Sequence, residues 1–455
     1  MEMVGYVLTS LGGGGSMGQT SRFLLAGAAL LLGSEVQLAY ACQAESPSGE
    51  LPTGRVIEHV PVADGSSGSF ALYVPTEYSS SHRWPLVLIL DPRGRGATAL
   101  RPLVPSAERL GYVLASSNET ASDAGGDPNT PAVNAMLATL QPRLSIDDRR
   151  LYLFAMSGTA RAAWALGYAA KPHVAGVAGF GAGPPPDMDL ESAHERYGAP
   201  FVFYGGAGEA DFNHAELVLL EGRLRRLGFR FATAFYPGPH GWPRAAKELE
   251  AALKWMHWMA MRTGLRDADS TWLVAEYARR LSAAARLEAA GAPGAAWRAY
   301  EQLAADAHSL LPRGAAAARA AALADDPRVV AWRARRLELA RSHVAYKERM
   351  AAWLRDTQTG SLPGLKTSLG ELQVDSLRAL AADATRGDQA AAADRALADL
   401  FSLTSFYYPR HYIARSQWDR ARLMLEIAEA LRPGTPAVRR RLDRVSAELR
   451  HGSAP

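Results

Sequence analysis

Cysteine is almost absent from this chain: Cys42 is the single one among 455 residues. That excludes an internal disulfide and any cluster of thiolate metal ligands. A surplus of one charge is also missing, with 50 Lys and Arg against 46 Asp and Glu and a formal +4. So small an excess argues against a nucleic-acid surface, which gathers basic residues on one face. Hydrophobic residues make up 48% and charged residues 21%, which excludes wholesale disorder and a multi-span membrane protein. Gly94-x-Gly96 lacks both a Walker lysine and a third spaced glycine, so no phosphate loop is read there. No His/Glu spacing makes a metal site, and neither metal nor cofactor is expected.

What is present begins with a leader-like segment. Arg22 precedes the apolar run 23–32, too short to span a bilayer but of the length of a signal-peptide core. Ala39-Tyr40-Ala41-Cys42 then supplies the small residues a leader peptidase needs. Met17 offers a second start for translation. Residues 1–44 are expected to be a leader, and the protein to be exported, periplasmic or secreted. Cys42 carries two readings. Cleavage after Ala41 leaves an unpaired thiol, whereas lipoprotein processing acylates it and tethers the chain to a membrane. The tetrad resembles a bacterial lipobox, with Ala39 in the place of the usual leucine. An uncleaved leader-like helix is the plain alternative.

After a polar spacer, strands alternate with helices. Residues 56–62 and 69–74 read as a hairpin around Asp64-Gly65. Continuous apolar runs at 86–90, 112–115, 151–154, 174–180, 201–204 and 229–235 read as strands buried on both faces. Helical patterns fall at 100–110, 132–140, 160–169, 213–227 and 243–261. This alternation predicts a mostly parallel α/β sheet with helices on both faces, over residues 45–264. From 265 to 455 no strand-like run occurs, and Ala, Leu and Arg recur at helical spacing. Breaks at 291–294, 311–314, 325–327, 360–364 and 432–436 predict short helical hairpins. Trp418, Ala421, Leu425 and Ala428, followed by Pro433, resemble the second helix of a tetratricopeptide repeat. That resemblance covers about the last forty residues, and an Ala-rich bundle without repeats is the alternative.

The chemistry centres on Ala155-Met156-Ser157-Gly158-Thr159-Ala160-Arg161, where a buried strand runs through a tight turn into a helix. This is the context of a nucleophile elbow, although Ala155 and Thr159 replace the usual Gly-x-Ser-x-Gly glycines. A serine there could equally be a helix N-cap. Downstream, Asp211 lies in a Gly-rich loop beyond the strand-like run 201–204, and His240 lies in the Gly/Pro loop Tyr-Pro-Gly-Pro-His-Gly-Trp-Pro before the last helix. The order Ser157, Asp211, His240, each after a separate strand, is that of an α/β-hydrolase triad. Asp211 could instead cap the next helix, and His240 could be an idle loop residue. Glu209 is the reserve acid. His173, His214 and His257 fit surface or packing roles better.

From the hairpin to Met261, about half the chain, the sequence therefore resembles the α/β-hydrolase superfamily. It is most similar to secreted bacterial esterases of the polyhydroxybutyrate-depolymerase, feruloyl-esterase and dienelactone-hydrolase type. The Ser-Gly-x-Ala-Arg elbow, Asp-x-Asn and His-Gly-Trp carry the likeness. It implies a serine hydrolase acting on a small-molecule or polymeric carboxylic ester. Oxyanion donors are expected from the amides of Gly158 and, in the loop 91–96, Arg93, because Pro92 has no N–H. Many relatives have His-Gly where this chain has Asp91-Pro92. Met156 and Trp242 are candidate pocket residues; Trp242 could equally be core packing. Arg93 and Arg95 would grip an anionic substrate group or, more simply, pair with Asp91 or face water. A peptidase, and an inactive lobe presenting its helices to a protein partner, are the rival functions. The helical region is expected either to dock such a partner or to roof the active-site edge.

Overall fold

A computed structural model describes residues 51–452 apart from Ala124, Ala170, Lys171 and Arg313. The leader and Cys42 lie outside the described residues. No helix among the described residues is long and apolar enough to cross a membrane.

Eight strands form one sheet: β1 (Val56–Pro61), β2 (Ser69–Tyr73), β3 (Trp84–Leu90), β4 (Val113–Ser117), β5 (Ile146–Met156), β6 (Gly176–Phe180), β7 (Val202–Ala210) and β8 (Phe231–Pro239). Their order is β1-β2-β4-β3-β5-β6-β7-β8. The β1–β2 and β2–β4 pairs are antiparallel and every later pair is parallel. Between them lie α1 (Gly96–Leu100), α2 (Val104–Leu110), α3 (Asn129–Leu140), α4 (Gly158–Gly167), α5 (Leu190–Tyr197) and α6 (His214–Arg226), and α7 (Ala246–Arg262) follows β8. One of these, α5, is additional to the helices the sequence pattern predicts; Asp189 caps it by accepting from Ser192 N.

The continuous apolar runs form strands buried on both faces because alternate side chains enter separate cores. Leu86, Leu88 and Leu90 pack with α3, α4 and α6, including Trp164 and Leu217. Val87 and Ile89 face the other way, toward α1, α2 and α7. Two strands reach further than the apolar runs do. The stretch Gly205-Gly-Ala-Gly-Glu, expected as loop, continues β7 to Ala210. Its neighbour β8 passes so close that a Cβ on Gly208 would meet Gly238 O at 2.2 Å. Glycine there is needed for strand approach, and a loop reading from glycine content misses that.

The remainder is helical: α8 (Ser270–Ala289), α9 (Pro293–Ala307), α10 (Gly314–Ala324), α11 (Pro327–Thr359), α12 (Leu365–Glu371), α13 (Val374–Ala382), α14 (Asp388–Ser402), α15 (Tyr408–Ile413), α16 (Trp418–Leu431) and α17 (Pro436–Gly452). Helix α11 has 33 residues, because neither Gly nor a second Pro interrupts it, and departs from the short-helix expectation. Leu273, Leu303, Ala307 and Ala316 of α8–α10 join the core on the α7 side of the sheet. A separate core, with Tyr346, Met350, Trp353, Leu400 and Met424, begins in the second half of α11. Helix α11 thereby spans from the sheet lobe to the terminal helices.

Candidate active site

Ser157, Asp211 and His240 each stand one residue beyond the end of a parallel strand: β5, β7 and β8 respectively. The sheet's geometry therefore delivers all three to one edge. Ser157 adopts φ 59° and ψ −128°, a conformation that non-glycine residues rarely hold. Its side chain makes no capping bond to α4, which removes the N-cap reading. Instead Ser157 Oγ lies 2.8 Å from His240 Nε2, and His240 Nδ1 lies 2.9 Å from Asp211 Oδ1. A carboxylate only accepts, so Nδ1 carries the hydrogen; the neutral ring's Nε2 then accepts from the serine hydroxyl.

Asp211 is fully buried, while the His240 side chain is 18% exposed. Asp211 Oδ1 also accepts from Asn213 N at 2.7 Å, but its Oδ2 has no hydrogen-bond partner. Gly181 sits beneath the pair with φ +67°; a Cβ there would lie 3.0 Å from both Asp211 Oδ2 and His240 Nδ1. That contact and the positive φ together require glycine. Phe212 stacks on the imidazole, with ring centres 4.1 Å apart and planes 27° apart. The reserve acid Glu209 is exposed at the end of β7.

Thr159 accounts for one departure from the usual elbow. Its buried hydroxyl accepts from Met156 N at 3.1 Å and lies 2.6 Å from Leu90 O. One side chain thus links the ends of β3 and β5 at the turn. Met156 is itself only 4% exposed and joins the core on the α7 side.

The loop after β3 is organised differently from expectation. Arg93 N, proposed from sequence as an oxyanion donor, donates to Asp91 Oδ1 at 2.9 Å. Arg95 N donates to the same atom and Gly94 N to Asp91 O, so this loop's amides turn inward. The physical reason is the buried Asp91 carboxylate, whose desolvation must be offset by donors. Arg95 pairs with it at 2.8 Å, and Trp242 Nε1 donates to it at 2.8 Å. Burial alone would raise this carboxyl; Arg95, the Arg93 amide and Trp242 outweigh it and hold it below the usual aspartate range. Trp242 is thus tied by its indole N–H to Asp91 and packs against Phe180, with ring centres 5.5 Å apart.

Two polar groups at this edge were not found from sequence. Ser122 Oγ is buried and has no hydrogen-bond partner. It lies against the head of α4, where a Cβ on Gly158 would meet it at 2.7 Å. Lys347, on α11, donates to Asn213 Oδ1 at 3.0 Å. Phe212 and Asn213 directly follow the predicted acid, Asn213 within the Asp-x-Asn motif, whereas Ser122 and Lys347 belong to distant elements and carry no local motif. His257 is buried beside Tyr112 and Trp272, a packing role, and burial, with Arg266 and Arg150, pushes its pKa down to about 3. Among the described residues no group of His, Cys, Asp and Glu could hold a metal ion.

No protein-family model matches the chain, and no curated protein matches it. Solved structures similar to it include a substrate-bound fluorophosphonate-binding serine hydrolase of Staphylococcus aureus. That likeness is 12% identical with a TM-score of 0.38, covering 45% of this chain and 99% of that one. An esterase of Pyrobaculum calidifontis is 15% identical at TM-score 0.35, over 46% of this chain and 87% of its own. An S-formylglutathione hydrolase from Agrobacterium tumefaciens is 15% identical at TM-score 0.35, over 44% and 93%.

Proposed function

We propose that this protein is a serine hydrolase that cleaves carboxylic esters through an acyl-enzyme. The observation that carries the reading is the continuous relay from Ser157 Oγ through the His240 ring to Asp211, at 2.8 and 2.9 Å. Ser157 Oγ attacks the acyl carbonyl while His240 Nε2 takes the hydroxyl proton. Collapse of the tetrahedral intermediate breaks the bond to the alcohol, which leaves with that proton. Water then repeats the sequence on the acyl-serine and releases the acid. Asp211 orients the imidazole and balances its transient charge.

The Gly158 amide heads α4, where it has no acceptor within the helix and the helix dipole favours negative charge. It is the first oxyanion donor. With the amides of 93–95 turned onto Asp91, the second is assigned to the Ser122 hydroxyl, which lies against Gly158 without a partner of its own. A fluorophosphonate probe is expected to label the wild-type chain and to leave Ser157→Ala unlabelled. Labelling of the variant, or none of the wild type, removes the assignment. A panel of p-nitrophenyl esters beside peptide amides then reads the leaving group directly; turnover of the peptides alone would make it a peptidase.

A further inference from the structure

Resting on that reading of the triad, we infer that the helical region is a working part of the site, with Lys347 as a positioning residue for His240 and Asp211. The need for one arises within the triad. Asp211 is held through Oδ1 alone, by Asn213 N and His240 Nδ1, while its buried Oδ2 has no partner. A carboxylate secured at one oxygen is free to swivel, and its orientation then depends on the chain segment that carries it. Burial of the second oxygen without a donor also costs free energy that the surroundings must offset.

That segment, Asp211-Phe212-Asn213, is braced from outside the sheet lobe. Lys347 Nζ donates to Asn213 Oδ1 at 3.0 Å, and Asn213 Nδ2 donates to Gly181 O at 2.8 Å. Both ends of the Asn213 side chain are thereby fixed, and with them the backbone N–H that Asp211 accepts. The same ammonium lies 5.8 Å from the centre of the Phe212 ring, which is the ring stacked on His240. One cation from α11 thus contacts the residue that stacks on the base and the residue that holds the acid.

The cation is itself anchored. Asp399 of α14 lies 3.4 Å from Lys347 Nζ, with His343 3.5 Å from the same carboxylate oxygen. Asp399 is 6% exposed and the Lys347 side chain 19%, so water competes little for this pair. A second strut from α14 reaches the same edge: Arg395 Nη1 donates to Glu209 O at 2.8 Å, two residues before the acid. Among the described residues of the sheet lobe, no other donor takes the place of Lys347 at Asn213 Oδ1. The terminal helices therefore set the alignment of a relay built by strands more than a hundred residues earlier.

The test uses the full chain and a p-nitrophenyl ester, comparing Lys347→Met, Lys347→Arg and the double variant Lys347→Met/Asp399→Asn. The double variant removes both charges, so no buried carboxylate is stranded, and its melting temperature reports that it folds. Misplacement of a catalytic group costs up to about a hundredfold, so kcat is expected to fall roughly 10- to 100-fold in both Met variants. KM should stay within about twofold, because the loss lies in the chemical step. Fluorophosphonate labelling should slow by the same factor. Lys347→Arg, which keeps the cation, should retain kcat within about threefold. Wild-type kcat in the folded double variant, a loss confined to KM, or an Arg variant as impaired as Met overturns the inference alone. Failure of the wild type to react with the probe overturns the triad reading, and this inference falls with it.

Discussion

Strand β5 buries every side chain from Leu151 to Met156, whereas α11 buries eight of its 33 residues. The strand lies between two layers of helix and makes its contacts with carbon. The helix meets the sheet lobe through a small apolar cluster, Ala340 against Ala215 and Val218 of α6, and through charge. Arg336 of α11 and Arg298 of α9 both bind Glu221 of α6, at 2.7 and 2.9 Å. Both guanidiniums also lie over the Phe235 ring of β8, at 4.9 and 5.1 Å from its centre. Apolar burial is roughly additive in area and carries no direction, which suits a core that must only be dense. Hydrogen-bonded ion pairs are directional, and they occur where α11 must meet the lobe in one register. The lobe brings Ser157, Asp211 and His240 to one sheet edge, and directional ion pairs join the helical region to it.

The largest expected effect is on that alignment. Glu221 is 8% exposed and faces two guanidiniums, so Glu221→Gln should destabilise the protein by roughly 3–5 kcal/mol. Burial alone would raise its pKa; Arg298 and Arg336 outweigh it and bring the carboxyl from 4.5 down to about 2. A depressed carboxylate pKa stabilises the fold above the unfolded value and stops doing so as pH falls through the folded one. The wild type should therefore lose this contribution between about pH 4.5 and 2, and the variant's stability should change less over that window. Denaturant unfolding across pH reads both. An unchanged midpoint in Glu221→Gln would mean that apolar contacts, those of α8–α10 and of Ala340 on α11, set the register without the ion pairs.

Much of the lobe is legible in sequence because buried strands and amphipathic helices leave periodic marks. Each expected strand is present, and Ser157, Asp211 and His240 converge as their chain order suggests. What is illegible depends on contacts without local pattern. The amides of 93–95 turn inward because Asp91 is buried, and burial of an aspartate after a strand is not written in the neighbouring letters. Lys347 is 134 positions from Asn213 on a helix whose periodicity reveals only which face is apolar. The glycines of β7 read as loop because composition cannot tell a tight turn from a strand that another strand approaches closely.

A smaller effect separates the two oxyanion assignments within the lobe. Ser122→Ala should lower kcat by about 10²- to 10³-fold, as for loss of a single oxyanion donor, and leave the melting temperature near wild type. A variant with wild-type kcat would return the role to the Arg93 amide, which must then leave Asp91 when substrate binds. That outcome would also change the comparison, since the loop after β3 would no longer be a fixed part of the lobe.

The smallest expected effect tests how the elbow tolerates threonine where glycine is usual. Were the residue merely accommodated, Thr159→Gly would relieve crowding and raise stability. The hydroxyl, however, accepts from Met156 N and lies 2.6 Å from Leu90 O, both in the buried turn. Valine keeps the branched shape and removes only the oxygen, leaving Met156 N without its acceptor. An unsatisfied buried amide costs about 1–3 kcal/mol, so Thr159→Val should lower stability by that amount in denaturant unfolding. Serine keeps the hydroxyl, so Thr159→Ser should lose less than either replacement. Glycine loses the bond and adds chain entropy to the unfolded state, which makes Thr159→Gly at least as destabilising as valine. A stabilised glycine variant would show that the strands hold the turn unaided. Loss in both variants would show instead that polar bridging, which joins the two halves of the chain at Glu221 and Asn213, also closes the strand-to-helix turn inside the lobe.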